Sequence, residues 1–387
     1  MPDADIYQGS ELVGQLERTL RGSRLTLIDG VTLKHGFLAT TVANETLEGV
    51  ELPPFFLNLL PEGARLQLLL ESARSKDDSL GLLLRVGWDT IGDVAVLPHG
   101  EAPGAHMALA RSSNLGEANF WDLFYAGVTA KPDGSVPGVQ EKISASTVAF
   151  GVRAAGIPSA ILKLNPPKYP RLVQNEEFFL RMARACGLEV NRAVIVYDRA
   201  GEAGLLVTRF DRVKSGSRIE KLHQEDGCQL LGSPPSNKYH LPLRAVADKI
   251  AELCTSGVVE VERLLRLIAF SYMIGNCDLH GKNISLIWDA AVRLSPGYDL
   301  VSTLPYTFLD RHMAMKLEGK DDNFKSGDFI DFGRHFGIPE RATREMLSSL
   351  CVRAEPWIVQ VEQIGFDANA TAALQKEMVK RIGHLRR

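Results

Sequence analysis

Between Ile6 and about Val50, short apolar runs (Leu12-Val13, Leu25-Thr26-Leu27, Phe37-Leu38-Ala39-Thr40) alternate with polar residues and Gly-containing turns, which predicts a small antiparallel sheet. Pro53-Pro54 ends that pattern. FFLNLLPEGARLQLLLESARSK then reads as helical with Leu66, Leu69, Leu70 and Ala73 on one face, and SLGLLLRVGWDTIGDVAVL reads as a helix passing into a strand. The stretch PHGEAPGAHMALARSSNLGEA, rich in Gly, Pro and Ala, is the expected linker.

Beyond it, STVAFGVR, SAILKLN, RAVIVYDR and AGLLVTRFDR read as strands at regular intervals, with the helix NEEFFLRMARACG between the second and third. Phe179, Met182, Ala183 and Cys186 supply the apolar face of that helix. Asn175 is its expected N-cap, Glu176 and Glu177 suit the positive end of its dipole, and Gly187 can close it. From about residue 241 helical periodicity dominates, in LRAVADKIAELC, VERLLRLIAFSYMIG and RATREMLSSLCVRAEPWIVQVEQI, broken by a two-strand element around ISLIWDAAVRLSP. The pattern is that of an α+β chain, β-rich first and α-rich last. No internal repeat or low-complexity tract interrupts it.

Composition narrows the class. With 387 residues, 45% hydrophobic and 24% charged, the chain is long enough for two or three units with sizeable cores. A formal net charge of −3 argues against a surface built to neutralise a phosphate backbone. The five cysteines are scattered without a CxxC pair and read as reduced thiols. MPDADIYQGS lacks an apolar core, and no apolar run approaches the ~20 residues of a spanning helix. A cytoplasmic location is expected.

The chemistry concentrates in NCDLHGKNISLIWDAAVRLSPGYDL, residues 276–300. Asp278, His280, Lys282 and Asn283 form a polar island between the apolar LLRLIAFSYMIG and ISLIW, and a buried polar island needs partners or a ligand. Asp278 and Asn283 stand five apart, the D-x-x-x-x-N spacing of a kinase catalytic loop. One carboxylate there accepts the proton of an attacking hydroxyl, and the amide oxygen is a hard donor for Mg²⁺. Asp299, sixteen residues beyond Asn283, occupies the place of the second metal-binding carboxylate. Upstream, Lys163 is a lone charge within the apolar strand SAILKLN, where an anion would compensate it, and Glu176 or Glu177 could form its positioning ion pair. DGSVPGVQEK, residues 133–142, is a turn-rich loop whose Gly134 and Gly138 let backbone amides approach an anion, with Lys142 adding a charge. Taken singly, each feature is also what a solvated loop, a snorkelling edge lysine or an ordinary turn would give.

Together they resemble the HipA family of serine/threonine kinases, the toxins of bacterial toxin–antitoxin modules. The resemblance rests on LVGQLER, PPFFLNLLPEGAR, VGWDTIGDVAVL, SVPGVQEK, ILKLN, NEEFFLRMARACGLEV, RFDR, HQEDGCQLLG, IGNCDLHGKN and SPGYDL, in this order across nearly the whole chain. It implies a two-lobed kinase fold related to phosphatidylinositol-kinase-like catalytic cores, whose D-x-H-x-x-N loop is similar. The implied units are an N-terminal subdomain at 1–105, a nucleotide-binding β-rich lobe at 106–240 and an α-helical lobe with the catalytic and metal-binding loops at 241–387.

By motif, the resemblance implies Asp278 as catalytic base, with His280 and Asn283 in the catalytic loop, and Asn283 and Asp299 on Mg²⁺. ATP would be held by Pro137, Gly138, Val139, Gln140, Glu141, Lys142, Lys163, Thr208, Arg209, Phe210, His280, Gly281, Lys282, Asn283, Tyr298 and Asp299, and Ser135 would be the autophosphorylated loop serine. Family members usually carry Glu where this chain has Thr208, which leaves any side-chain role of Thr208 open. The implied partners are a small HipB-like helix-turn-helix antitoxin, through which any DNA contact would be indirect, and a protein substrate of the aminoacyl-tRNA synthetase kind, glutamyl-tRNA synthetase in particular. No membrane is implied. Two other readings remain. A metal-dependent phosphoesterase would use Asp278, His280 and Asp299 but has no need of Lys163, and an inactive kinase-like subunit retained as antitoxin-binding co-repressor would be expected to lack one of Lys163, Asp278, Asn283 and Asp299.

Overall fold

The first hundred residues build one antiparallel sheet of β1 (Ala4–Gln8), β2 (Glu11–Thr19), β3 (Gly22–Leu27), β4 (Leu47–Gly49) and β5 (Val94–Pro98), in the order β4-β3-β2-β1-β5, with β1, inside the sheet, buried at every position. The computed structural model describes residues 2–42, 46–72, 78–104, 110–111, 115–129, 148–154, 157–216 and 218–387. Phe37–Thr40 is not the strand its composition predicts. Ala39 makes only an isolated bridge to Val42, and the Thr40 N–H and hydroxyl both donate to Glu225, at 2.7 and 2.6 Å, instead of to a ladder.

The long helical stretch splits into α1 (Pro54–Leu57) and α2 (Gly63–Ser72) around Pro61, and α3 (Ser79–Val86) leads into β5. The face of α2 also differs from the expected one, since Leu70 is exposed while Ala64, Leu68 and Leu69 are buried. The reason is that α2 packs on two neighbours. Leu69 meets Leu82 and Val86 of α3, whereas Ala64 and Leu68, one turn apart, pack into the core of the next sheet.

That second sheet has the order β6-β7-β8-β10-β9, from β6 (Ala110–Arg111), β7 (Val148–Ala154), β8 (Ile157–Leu164), β9 (Ala193–Tyr197) and β10 (Ala203–Thr208). The expected linker thus contributes a short strand, parallel to β7. α4 (Phe120–Thr129) covers one face through Phe120 and Phe124. α5 (Leu172–Ala185) begins three residues before its expected N-cap. Asn165 Oδ1 accepts from the Val173 N–H and serves the first turn, while Asn175 lies buried inside the helix and exchanges two hydrogen bonds with the Ser302 backbone, at 2.8 and 3.0 Å. Gly187 ends the helix as predicted. Its φ is 85°, and the Gly187 and Leu188 N–H groups donate back to the carbonyls of Arg184 and Ala183.

The hairpin of β11 (Arg212–Ser215) and β12 (Arg218–Lys221) leads to β13 (His223–Asp226), which adds a third strand to the predicted pair, β14 (Ser285–Trp288) and β15 (Val292–Leu294). The remaining helices are α6 (Gly227–Leu230), α7 (Leu243–Leu253), α8 (Gly257–Ile274), α9 (Ser326–His335), α10 (Glu340–Ile358) and α11 (Ala368–Leu385). α8 is buried at every position from Leu267 to its end, as a helix at the centre of a lobe must be. Among the described residues no helix is long and apolar enough to cross a membrane.

Charge, not only apolar area, joins the first sheet to the rest. The Arg209 guanidinium donates twice to Asp211, and to Asp89 and the Thr90 carbonyl, while Arg212 reaches Asp211, Asp89 and the carbonyls of Thr90 and Gly92. Thus RFDR and VGWDTIGDVAVL are two halves of one buried junction. Beside it, His223 Nδ1 lies 2.7 Å from Asp93 and its Nε2 2.9 Å from Glu225. Ionised carboxylates only accept, so both ring nitrogens carry protons and the imidazole is cationic. Burial alone would depress its pKa, but the bonds to Asp93 and Glu225 raise it to about 9.

The sign of the resulting pH dependence follows. Because the folded value lies above the ordinary 6.5, the stabilisation is complete below about pH 6.5 and is lost as pH rises through about 9. The melting temperature of the wild type should therefore fall across this window. His223→Gln should be destabilised by about 3–5 kcal/mol at pH 6.5 through its stranded carboxylates, and should show a flatter melting profile between pH 6.5 and 9. An unchanged wild-type profile would refute the imidazolium.

Candidate active site

α8 stops at Gly275, whose φ of 70° and closeness to the Leu304 side chain suit a residue without a Cβ. The chain then turns into the polar loop. The Asp278 N–H donates to Asn276 Oδ1, and Asn276 Nδ2 donates to the Asp299 carbonyl at 3.3 Å, so the two acidic segments are tied together by one amide. Asn283 Nδ2 donates to the Asp278 carbonyl at 2.9 Å. That bond orients the amide, and its Oδ1 accepts nothing from the described residues.

Asp299 adopts φ 54°, a left-handed conformation that Asp tolerates better than most residues. It follows Tyr298, whose hydroxyl donates to the Lys282 carbonyl at 2.7 Å and pairs with Ser285. From the facing sheet, the Lys163 ammonium donates to both oxygens of Glu176, at 2.7 and 2.9 Å, and to Asp299. Burial opposes the charge of Lys163, yet Asp299 and Glu176 outweigh it and hold the ammonium well above its ordinary pKa. Burial pushes Glu176 upward against the pull of Lys163. Of the two glutamates considered for this pair, Glu176 makes it, and Glu177 turns outward to Arg181.

Two cavities flank this centre. The larger, of about 300 Å³, is lined by Lys163, Phe210, Lys282, Asn283, Tyr298 and Asp299 among others, and Arg209 also reaches it although its guanidinium is committed to the buried junction. The smaller, of about 80 Å³, has Asp278, Glu176, Tyr169 and Tyr306 in its wall. Lys163 and Asp299 line both and form the partition between them. Thr208 is exposed at the end of β10 and lines neither. His280 and Gly281 sit behind the loop. Gly281 donates to the Lys238 carbonyl and abuts Leu241, and His280 is buried with its Nδ1 unbonded and its pKa lowered by burial. Ser135 and the stretch Pro137, Gly138, Val139, Gln140, Glu141 and Lys142 lie outside the described residues.

Three contributors, Tyr239, Asn58 and Arg65, are not singled out by residue type or spacing, although Asn58 and Arg65 lie within PPFFLNLLPEGAR. The Tyr239 hydroxyl donates to Asp278 Oδ1 at 2.8 Å, and its ring stands edge-on to His280, with centroids 5.0 Å apart. Burial and the Asp278 charge raise its pKa well above the ordinary value, so it remains a donor. The Lys282 ammonium is held by Asp226 at 3.1 Å and by the carbonyl and Oδ1 of Asn58, at 3.0 and 3.1 Å. Asn58 and Arg65, both of NLLPEGAR, line the larger cavity from the side of the first sheet.

Comparison with known proteins gives this geometry a family. Residues 4–97 match the HipA N-terminal domain and residues 134–358 the HipA-like C-terminal domain. The chain is 31% identical to a putative kinase, Y4mE, of Sinorhizobium fredii over 287 residues, 69% of this chain and 68% of that one. It is 30% identical to the serine/threonine-protein kinase toxin HipA of Shewanella oneidensis over 337 residues, 79% and 76% of the two chains. Its fold is shared with a solved Shewanella oneidensis HipA, from a complex with HipB and operator DNA, at a TM-score of 0.78 and 22% identity over 99% of this chain and 97% of that one. With one family model alone covering more than half of its length, the chain belongs to the HipA family of serine/threonine kinases.

Proposed function

We propose that the chain is an ATP- and Mg²⁺-dependent toxin kinase that phosphorylates serine or threonine on a protein of the translation machinery, an aminoacyl-tRNA synthetase such as glutamyl-tRNA synthetase being the substrate class the family resemblance implies. The observation that carries this reading is the partition: one buried ammonium, Lys163, bridges Glu176 and Asp299 between a cavity large enough for a nucleotide and the carboxylate of Asp278. The donor set fits a magnesium nucleotide. Asn283 Oδ1 has no donor among the described residues, Asp299 adds a carboxylate oxygen, and both are hard ligands beside a fixed cation. Bound there, Mg²⁺ supplies neutralisation of phosphate charge.

The side chains then divide the work. Lys163 holds phosphate oxygens, and Glu176 keeps it in place when Asp299 is engaged elsewhere. Tyr239 occupies Oδ1 of Asp278, which leaves the other oxygen for the acceptor hydroxyl. That hydroxyl oxygen bonds to the γ-phosphorus, the bond to the β–γ bridging oxygen breaks, ADP leaves and the hydroxyl proton passes to Asp278. His280, neutral because it is buried, adds no competing charge. A phosphoesterase would give the Lys163–Glu176 pair nothing to do.

With γ-labelled ATP, Mg²⁺ and a cell extract, the wild type should transfer label to serine or threonine of one predominant protein. Asp278→Asn should lower transfer at least ~100-fold while keeping the wild-type melting temperature and its upward shift with Mg·ATP. Near-normal transfer by a folded Asp278→Asn would reject the base.

Ser135 is the proposed autophosphorylation site, in the loop that also carries Gly138. A phosphate adds about −1.5 to −2 charges, which would repel the triphosphate and keep this loop from covering it. Mass spectrometry after exposure to ATP should find Ser135 modified, with ATP affinity reduced in the modified form. Phosphate located elsewhere, or unchanged affinity, would reject the switch.

The proposed regulatory partner is a HipB-like helix-turn-helix antitoxin, consistent with a chain whose net charge of −3 is unsuited to bind DNA by itself. In gel-shift assays the chain alone should leave operator-like DNA unshifted and should supershift it once that antitoxin is added. A shift by the chain alone would overturn the indirect contact.

A further inference from the structure

NLLPEGAR brings three polar side chains, Asn58, Glu62 and Arg65, to the wall of the larger cavity, and two of them are spent on the catalytic lobe. Asn58 accepts from Lys282, and Glu62 accepts from Lys238 at 3.0 Å, the residue whose carbonyl takes the Gly281 N–H. Arg65 has no hydrogen-bond acceptor or counter-ion among the described residues. Asp89, the acid whose charge it feels most, already has both oxygens engaged by Arg209 and Arg212. A half-buried guanidinium facing a cavity without a partner is costly unless a ligand completes it. Burial bears on it, since it depresses the pKa of Arg65. The helix that carries it is nevertheless fixed, because Ala64 and Leu68 are buried in the core of the second sheet.

The β-ladder tells which end of a nucleotide it would meet. Lys163 pairs with Leu205, and Ala160 with Thr208, the residue before Arg209. Three residues of strand separate these levels by ~10 Å, close to the span between the phosphates and the base of ATP. Arg65 lines the cavity beside Asp89, which is bonded to Arg209, and so stands at the Arg209 level, away from Lys163. Apolar side chains, Ile91, Ile161, Val207 and Phe210, line this cavity with it. We propose that Arg65, delivered by the N-terminal unit, binds the nucleoside end of ATP, its planar guanidinium stacking on the purine and donating to the ribose. This rests on the kinase reading above.

The test is calorimetric titration of the full chain, wild type, Arg65→Ala and Arg65→Lys, with Mg·ATP, adenosine and inorganic tripolyphosphate, beside melting curves without ligand. Arg65→Ala should weaken ATP and adenosine by a common factor of about 5 to 10 and leave tripolyphosphate unaffected. Its unliganded melting temperature should not fall, since no internal bond is lost. Arg65→Lys, which keeps the charge without the plane, should not restore adenosine affinity. Wild-type affinity of Arg65→Ala for adenosine overturns the inference and leaves the kinase reading intact. A loss confined to ATP and tripolyphosphate overturns it in favour of a phosphate contact, and a wild type that binds none of the three ligands overturns both readings.

Discussion

Everything near the cavities is arranged around the cost of burying one ammonium. Lys163 lies within an otherwise apolar strand with its side chain only 16% exposed, and neither β8 nor β10 offers it an acceptor. The compensation comes from outside the sheet: Glu176 from α5, and Asp299 from the segment after β15. That requirement fixes the distance of a helix and of a loop from the same strand. It therefore fixes the width of the partition between the two cavities. A positive φ at Asp299 and an all-buried α8 ending on a glycine are the local means by which the distant lobe reaches that point.

The first sheet is coupled to this arrangement by charge twice over. Arg209, Arg212, Asp89 and Asp211 form a buried network that is neutral as a set, and His223 lies beside it between two carboxylates. Such networks contribute little net stability against an apolar substitute, but losing one member strands the others. The consequence is specificity of docking. NLLPEGAR is held at one angle to the cavity, and the Lys282 ammonium, which belongs to the polar loop after α8, is bound by Asn58 on the first sheet's side and Asp226 on the other.

What the sequence discloses and what it hides divide along chain distance. Asp278, Asn283 and Asp299 are legible because their spacing is local, and the structure brings them together with Lys163, which is conspicuous as a charge in an apolar strand. Between Glu176 and Glu177, helical phase decides, because Glu176 shares the buried face with Phe179 and Ala183, three and seven residues on, and so turns inward to Lys163. Thr40 reads as part of a strand because its apolar neighbours do, but its donors are claimed by Glu225, 185 residues away. Tyr239 and Asn58 escape for the same reason: their partners lie 39 and 224 residues off, and nothing local in the sequence points to those partners.

Tyr239 shows how such a contact alters the chemistry and not only the fold. A carboxylate with both oxygens free can rotate and present either one, so a general base needs one oxygen occupied by a donor that does not itself ionise. A phenol whose pKa is raised by burial and by the carboxylate it serves meets that condition over the whole neutral range. The same loop carries Lys238, whose carbonyl takes the Gly281 N–H and whose ammonium meets Glu62. One short segment thus aims the Tyr239 phenol at Asp278, braces the loop behind it and contacts the N-terminal unit. The orientation of the Asp278 carboxylate is in this way mechanically continuous with the docking of the first sheet.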